Sequence, residues 1–210
     1  MNKIVFCDFD GTITAQETFV AMLKQFTPQI SAEIMPKLYN RELTLRQGVR
    51  QMLESIPSVR YQEVIEFSSH QQIRPGLVEL IDFLDAQAVP LVVVSGGIRV
   101  MVETVLGDLV NRVAAIYAVD IATQGDYWQV HSEFESGTEL VAKVKIMDLY
   151  ASDEKVAIGD SVTDLNMALS VPLVFARDRL AQYLNEQQKP YIVWNDFFEV
   201  RDYLARHWNL

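Results

Sequence analysis

The run Lys3-Ile4-Val5-Phe6-Cys7-Asp8-Phe9-Asp10-Gly11-Thr12 is an apolar stretch that ends in two aspartates and a glycine. Its unbroken aliphatic character predicts a strand over Lys3–Phe9, buried on both faces in a parallel sheet. Side chains two residues apart on a strand point the same way, so Asp8 and Asp10 would share one face at its carboxyl end. Open α/β sheets bind their ligands beyond those ends. Paired carboxylates raise each other's pKa unless a cation lies between them, and a hard divalent cation with oxygen ligands is the simplest resolution. Gly11 would let the backbone approach a ligand, and Thr12 would offer a hydroxyl and an amide. Taken alone, the segment also reads as a turn carrying two solvated aspartates.

Working outward, further short aliphatic strands are expected at Pro90–Val94, Val113–Ala118, Lys155–Ile158 and Leu173–Phe175. Helical spacing lies between them: Leu77, Leu80, Ile81 and Leu84; Val100, Val102, Val105 and Leu106; Leu140, Val144 and Met147. Strands alternating with helices predict an α/β fold, a Rossmann-like doubly wound parallel sheet with right-handed crossovers. From Ala15 to Ser69 the pattern is helical throughout. Thr44 is a candidate N-cap for a helix carrying Leu45, Val49, Met52 and Leu53, and Pro28, Pro36 and Pro57 punctuate the stretch. The expected organisation is a catalytic core of residues 1–14 and 75–210 with a helical domain, 15–74, inserted after the first strand. Alternation around Tyr127–Ser132, with turn residues at Gln124-Gly125-Asp126, predicts a short β-hairpin. Trp194 and Phe197-Phe198 should pack a last helix on the sheet.

Three more segments carry chemistry. Ser95-Gly96-Gly97 follows a predicted strand, where a small hydroxyl and two glycines make a nest of N–H groups suited to a phosphate oxygen. Gly159-Asp160-Ser161-Val162-Thr163-Asp164 follows another and adds carboxylates at the same edge. Lys143 leads a predicted helix, and Lys145 is its competitor as a phosphate-binding cation. The other reactive side chains read as structural: Cys7 as a small buried hydrophobe, His70 as a hinge-side residue, His131 and His207 as surface groups.

Together these segments resemble the haloacid dehalogenase (HAD) superfamily of phosphohydrolases along the whole chain. Asp8-Phe9-Asp10-Gly11-Thr12 is similar to its first motif, Ser95 to the second, Lys143 to the third, and Gly159-Asp160 with Asp164 to the fourth. The helical insertion resembles the mobile cap of the phosphoserine phosphatase branch. The resemblance implies a Mg2+-dependent phosphatase in which Asp8 attacks phosphorus and forms an aspartyl-phosphate. Asp10 would protonate the leaving alkoxide and then activate water. The cation would rest on Asp8, the Asp10 backbone carbonyl and Asp160. Asp164 would hold Lys143 or a metal-bound water. Thr12, Ser95, Gly96, Gly97 and Lys143 would surround the phosphoryl group.

The resemblance also bears on the ester. Glu17, nine residues after Asp8, matches a glutamate that holds the substrate ammonium in phosphoserine phosphatases. Where those enzymes place a carboxylate-binding arginine this chain has Gly48; Arg46 or Arg50 could reach in from a neighbouring turn, and both also read as a solvated helix face. Gly48, Asp10-Gly11-Thr12, the run Gly159-Asp160-Ser161-Val162-Thr163-Asp164 and Phe175-Ala176-Arg177-Asp178 are similar to another phosphatase type of the same branch. That resemblance implies a carboxylate-free, enediol-type ester with an apolar tail over phosphoserine; Phe19, Met22 and Tyr39 could receive that tail or equally form the core of the inserted domain. A phosphotransferase and a non-catalytic binding protein stay open as alternatives.

A net charge of −10 disfavours non-specific association with nucleic acid or anionic membrane. The single cysteine excludes an internal disulfide and suits a reducing cytoplasm. The expected partner is a small phosphorylated metabolite, bound by a monomer or homodimer.

Overall fold

The computed structural model describes residues 2–40 and 42–209, and for Tyr39 the backbone alone. β1 (Lys3–Cys7) is the central strand of a seven-stranded sheet ordered β4-β3-β2-β1-β5-β6-β7. β2 (Leu91–Ile98) and β5 (Glu154–Gly159) flank it in parallel, with Val5 opposite both Leu91 and Val156. β3 (Ala115–Ala122), β6 (Leu173–Ala176) and β7 (Ile192–Val193) extend the parallel sheet. β4 (Gln129–His131) runs antiparallel to β3, as the predicted hairpin requires. Ile4, Val5, Phe6 and Cys7 are fully enclosed, and burial raises the Cys7 thiol well above its usual range. The sheet winds outward to both sides from β1, so the crevice beyond the end of β1 lies at the reversal of strand order.

α5 (Leu77–Ala86) buries Leu77, Leu80, Ile81 and Leu84 as predicted. α6 (Arg99–Leu106) buries Met101 with Val102 and Leu106, while Val100 and Val105 are half-exposed. α7 (Lys143–Met147) is shorter than expected: Leu140 precedes it, buried in a loop, and Ile146 replaces Val144 on the inner face. α8 (Leu165–Leu169) and α9 (Asp178–Glu186) follow. α10 (Phe197–His207) packs on α5, with Trp194 and Phe197 buried at its start.

Between β1 and α5 lie α1 (Thr18–Phe26), α2 (Pro28–Tyr39), α3 (Leu45–Leu53) and α4 (Tyr61–Ser69). The chain leaves and returns at one place. Thr14 bridges Ile73, Ala15 N–H donates to Gln72 at 2.9 Å, and Arg74 N–H donates to Ile13 at 2.8 Å. Thr44 caps α3 in a reciprocal box with Gln47, worth about 1 kcal/mol. Pro28 opens α2 at its first turn, but Pro36 sits inside that helix without ending it.

The hairpin serves these helices. Trp128 is 1% exposed and meets Tyr61 edge-on at 5.9 Å, and its backbone N–H donates to the Ile56 carbonyl at 3.0 Å, while its indole N–H is buried without a partner among the described residues. Burying an indole of that size is worth about 4 kcal/mol, which ties the helical excursion to the β3–β4 edge.

Candidate active site

The structure revises the geometry first expected at the end of β1. The strand stops at Cys7, and Phe9–Ile13 forms a wide helical turn. Gly11 makes that turn with φ of +80°, and a Cβ there would lie 2.4 Å from Asp160 Oδ2. Position 11 is therefore glycine for both backbone and space. Asp8 and Asp10 do not share a strand face. Asp8 points into a buried cluster, while Asp10 Oδ1 accepts from Thr18 N–H (2.5 Å), Thr18 Oγ1 (2.8 Å) and Phe19 N–H (2.9 Å). Asp10 thus caps α1 from a distance and links the Phe9–Ile13 turn to the helical excursion. Arg74, unrecognised in the sequence, braces the same turn. Its guanidinium donates to the carbonyls of Gly11 (2.6 Å) and Thr12 (2.8 Å) and lies 5.4 Å over the Trp194 ring.

Lys143, at 2% exposure, donates to Asp8 Oδ1 at 2.5 Å and to Asp164 Oδ1 at 2.6 Å. Lys145 is exposed and donates instead to the Glu135 carbonyl at 2.8 Å, so the lysine leading α7 is the one at the cluster. Asp164 Oδ2 accepts the N–H groups of Asp160 and Ser161, each at 3.0 Å, and fixes the loop after β5.

Two expected phosphate-facing hydroxyls point elsewhere. Thr12 Oγ1 donates to Asp160 Oδ1 at 2.9 Å, and Ser95 Oγ accepts from Gly97 N–H at 3.0 Å. Ser95-Gly96-Gly97 does not follow β2; it lies within β2, where the register with β3 shifts between Val94 and Ile98. Gly96 and Gly97 line the cavity above the cluster.

That cavity, about 580 Å³, has Asp8, Asp10 and Lys143 at its floor. Its apolar walls include Leu23, Met35, Leu38, Leu43, Val49 and Met52. Phe19 lines it as expected; Met22 is instead wholly buried, and the Tyr39 side chain lies outside the described residues. Glu17 lines it from an exposed position at the start of α1. Arg46 does not line it. Arg46 Nε pairs with Glu135 at 2.7 Å, and Arg50 pairs with the same carboxylate and with Glu54. Gly48 faces α2, where a Cβ would meet Leu38 Cδ2 at 2.6 Å. A side chain at 48 would have to displace Leu38, so packing against α2 accounts for the glycine on its own. His70 and His131 are exposed, and His207 pairs with Glu154 at 2.9 Å.

The electrostatics follow from burial. Burial, reinforced by Asp164 and opposed by Lys143, pushes Asp8 up to about 7. Burial, then Asp8 and Asp164, pushes Asp160 up to about 9. Burial raises Asp10 against the hydrogen bonds from Phe19 and Thr18. Burial alone would lower Lys143, but Asp164 and Asp8 outweigh it and hold the ammonium firmly charged. Three carboxylates against one ammonium leave an excess of buried negative charge. Carboxylate oxygens of Asp8, Asp160 and Asp164 lie within 4.8 Å of one another. Asp160 Oδ2 has no hydrogen-bond donor among the described residues. A hard divalent cation fits this all-oxygen set and resolves its repulsion.

A doubly wound sheet with this carboxylate–lysine cluster at its reversal point defines a class, and the chain belongs to it. The family of haloacid dehalogenase-like hydrolases matches residues 5–169. A 2-hydroxy-3-keto-5-methylthiopentenyl-1-phosphate phosphatase of Microcystis aeruginosa is 58% identical over 97% of this chain and 98% of its own length. A phosphatase of the same name from Bacillus mycoides (strain KBAB4) is 30% identical over 95% of this chain and 94% of its own. Among solved structures, a phospho-aspartyl intermediate analogue of phosphoserine phosphatase superposes with a TM-score of 0.69 at 20% identity, covering 96% of this chain and 98% of that one. A phosphoserine phosphohydrolase-like protein of Francisella tularensis reaches 0.71 at 21% identity, covering 95% and 98%. At that identity the likeness is one of fold.

Proposed function

We propose that this chain is a phosphate monoesterase working through an aspartyl-phosphate on Asp8, with 2-hydroxy-3-keto-5-methylthiopentenyl-1-phosphate as its substrate. The observation that carries the reading is the buried Asp8–Lys143–Asp164 contact at the floor of an apolar-walled cavity. In this reading residues 15–74 form a cap over a core of residues 1–14 and 75–210.

The Asp8 carboxylate attacks phosphorus in line with the leaving oxygen. Lys143 keeps the attacking carboxylate oriented and offsets charge on the phosphoryl oxygens, and Asp164 holds Lys143 in place. Asp10 gives its proton to the leaving alkoxide, then takes one from the water that releases phosphate. Its raised pKa favours the protonated form that the first step needs. Gly96 and Gly97 border the phosphoryl position with backbone groups alone. Mg2+, held by Asp8, the Asp10 carbonyl and Asp160, would supply the positive charge that lets an anionic nucleophile meet a phosphate dianion.

The substrate assignment draws on the name of the 58%-identical relative and on two features of the cavity. Its cap wall is aliphatic and thioether-rich, suited to a methylthio tail. Arg46 and Arg50 are both committed to Glu135, so α3 presents no free guanidinium to a substrate carboxylate. No described helix is long and apolar enough to cross a membrane.

The test is a panel of phosphate monoesters with Mg2+, including this ester, phosphoserine and sugar phosphates, on the wild type and Asp8→Asn. The expected result is preferred turnover of the keto-enol ester and loss to background in Asp8→Asn with folding intact. More than a few per cent residual activity in Asp8→Asn would rule out the aspartyl-phosphate.

A further inference from the structure

Lys143 is consumed at the floor of the cavity by Asp8 and Asp164. One other cation among the described residues lines the cavity: Arg179, in the first turn of α9. Its neighbour Arg177 is occupied, pairing with Asp178 at 2.7 Å, donating to the Asn195 carbonyl at 3.1 Å and lying over Trp194. Arg179 makes no ion pair or hydrogen bond with any described residue. Tyr183, one helical turn on and therefore on the same face, also lines the cavity, and its hydroxyl has no described partner either. The start of α9 is fixed to the acidic loop, because Leu180 N–H donates to the Asp160 carbonyl at 2.8 Å.

The two sides of the cavity differ in chemistry. α1, α2 and α3 contribute apolar side chains. The loop after β5 and α9 contribute Ser161, Thr163, Arg179 and Tyr183, and the two hydroxyls of the loop bond each other at 2.8 Å. The uncommitted polar groups on that side are the guanidinium and the phenol. Asp8, Asp10, Glu17 and Glu139 also line the cavity, yet Arg179 pairs with none of them, which leaves its guanidinium available to a ligand. A guanidinium offers planar, paired donors, which suit two adjacent oxygens better than a lone apolar tail.

We propose that Arg179, assisted by Tyr183, is a specificity-determining residue that binds the oxygen functions next to the phosphate carbon, while the cap holds the apolar tail. The site would thus select 2-oxo or enediol phosphate esters over alkyl phosphates of the same length. This rests on the phosphatase reading for its substrate class, but its test does not need turnover.

The experiment measures, by calorimetry in Mg2+, the affinities of 2-oxohexylphosphonate and hexylphosphonate for wild type, Arg179→Ala and Arg179→Lys. A lost charge-assisted hydrogen bond corresponds to roughly a 10- to 100-fold change. The wild type should prefer the oxo ligand by about tenfold or more. Arg179→Ala should abolish that preference, and Arg179→Lys should restore little of it, since an ammonium lacks the fork. With ester substrates, kcat/KM selectivity should fall in parallel, mainly through KM. An equal loss for both ligands in Arg179→Ala would show that the residue serves the phosphonate group, and no loss would show that it serves neither; each overturns the proposal. A wild type that hydrolyses no ester yet keeps the oxo preference would sink the phosphatase reading and leave this one standing.

Discussion

Removing divalent cations should make folding stability fall as pH rises, the reverse of ordinary acid unfolding. Asp8 and Asp160 start from 3.8 in the unfolded chain and stand at about 7 and about 9 in the folded protein. Above pH 4 the folded state therefore binds more protons than the unfolded one, and unfolding free energy declines with pH. The penalty is absent below the unfolded value and complete above the folded one. For Asp8 the interval spans about 3 pH units at about 1.4 kcal/mol each, a loss on the order of 4 kcal/mol, and Asp160 carries the decline toward pH 9. Lys143 adds no slope here, because its folded value lies above an unfolded 10.5 and it is charged in both states. The exposed pairs Glu33–Lys37 and Glu63–Arg60 act in the opposite sense, but solvent screens them. A loss of that size is a large share of a typical stability of about 5–15 kcal/mol. Guanidinium unfolding at pH 5, 7 and 9, in EDTA and in excess Mg2+, reads it directly. In EDTA the midpoint should drop steadily from pH 5 to 9; in Mg2+ it should stay nearly level, because a cation on the cluster would offset the ionised carboxylates. Asp160→Asn should flatten the upper part of the EDTA curve. An EDTA profile that is flat or rising, or a pH 9 midpoint indifferent to Mg2+, refutes the assignment of a buried, cation-demanding cluster.

Asp10→Asn should slow esters with poor leaving groups by roughly 10²- to 10⁴-fold and an aryl phosphate much less, because only the former need proton donation; a rate series across leaving groups that falls uniformly would remove Asp10 from that role. Gly48→Arg should destabilise by at least 1–3 kcal/mol, since even a Cβ there meets Leu38 at 2.6 Å, and should bring no phosphoserine turnover. A stable Gly48→Arg protein with improved phosphoserine kcat/KM would show that position 48 faces the substrate after all.

The strand-and-helix alternation was legible because buried parallel strands are uninterrupted aliphatic runs, and these runs placed β1, β2, β5 and β6 to within a few residues. What periodicity could not show was where a strand gives way to a turn. Cys7-Asp8-Phe9-Asp10 has the alternation of a strand continuing through Asp10, yet the left-handed Gly11 and the carbonyl-binding Arg74 bend the chain from Phe9 onward. The motif residues Asp8, Lys143, Asp160 and Asp164 come together as their order at strand and helix ends suggested. Thr12 and Ser95 fall in the right segments but turn their hydroxyls to Asp160 and to Gly97. Those orientations depend on neighbours more than 100 residues away or on a strand irregularity, and no local pattern encodes them. Arg179 escaped notice for the same reason: on a helix after β6, an arginine reads as a solvated charge until the fold carries it to the cavity.

α3 divides its faces between packing, anchorage and the cavity. On α3, Leu45, Val49 and Met52 recur at the spacing of one face and line the cavity. Arg46 and Arg50, one residue further round, form a second stripe that reaches Glu135, beyond the hairpin. Gly48 lies on the side facing α2, where a Cβ would press on the Leu38 and Ile34 side chains. Each residue step turns about 100°, so the arginines cannot reach the cavity unless α3 rotates. Rotation would break the Glu135 pairs, withdraw Val49 from the cavity, and drive a larger side chain against Leu38 and Ile34 of α2. The apolar character of this cavity wall is therefore set by the register of α3 between α2 and the hairpin. Converting this cavity to a carboxylate-bearing ester calls for a cation introduced at Leu45, Val49 or Met52, on the face that already looks inward.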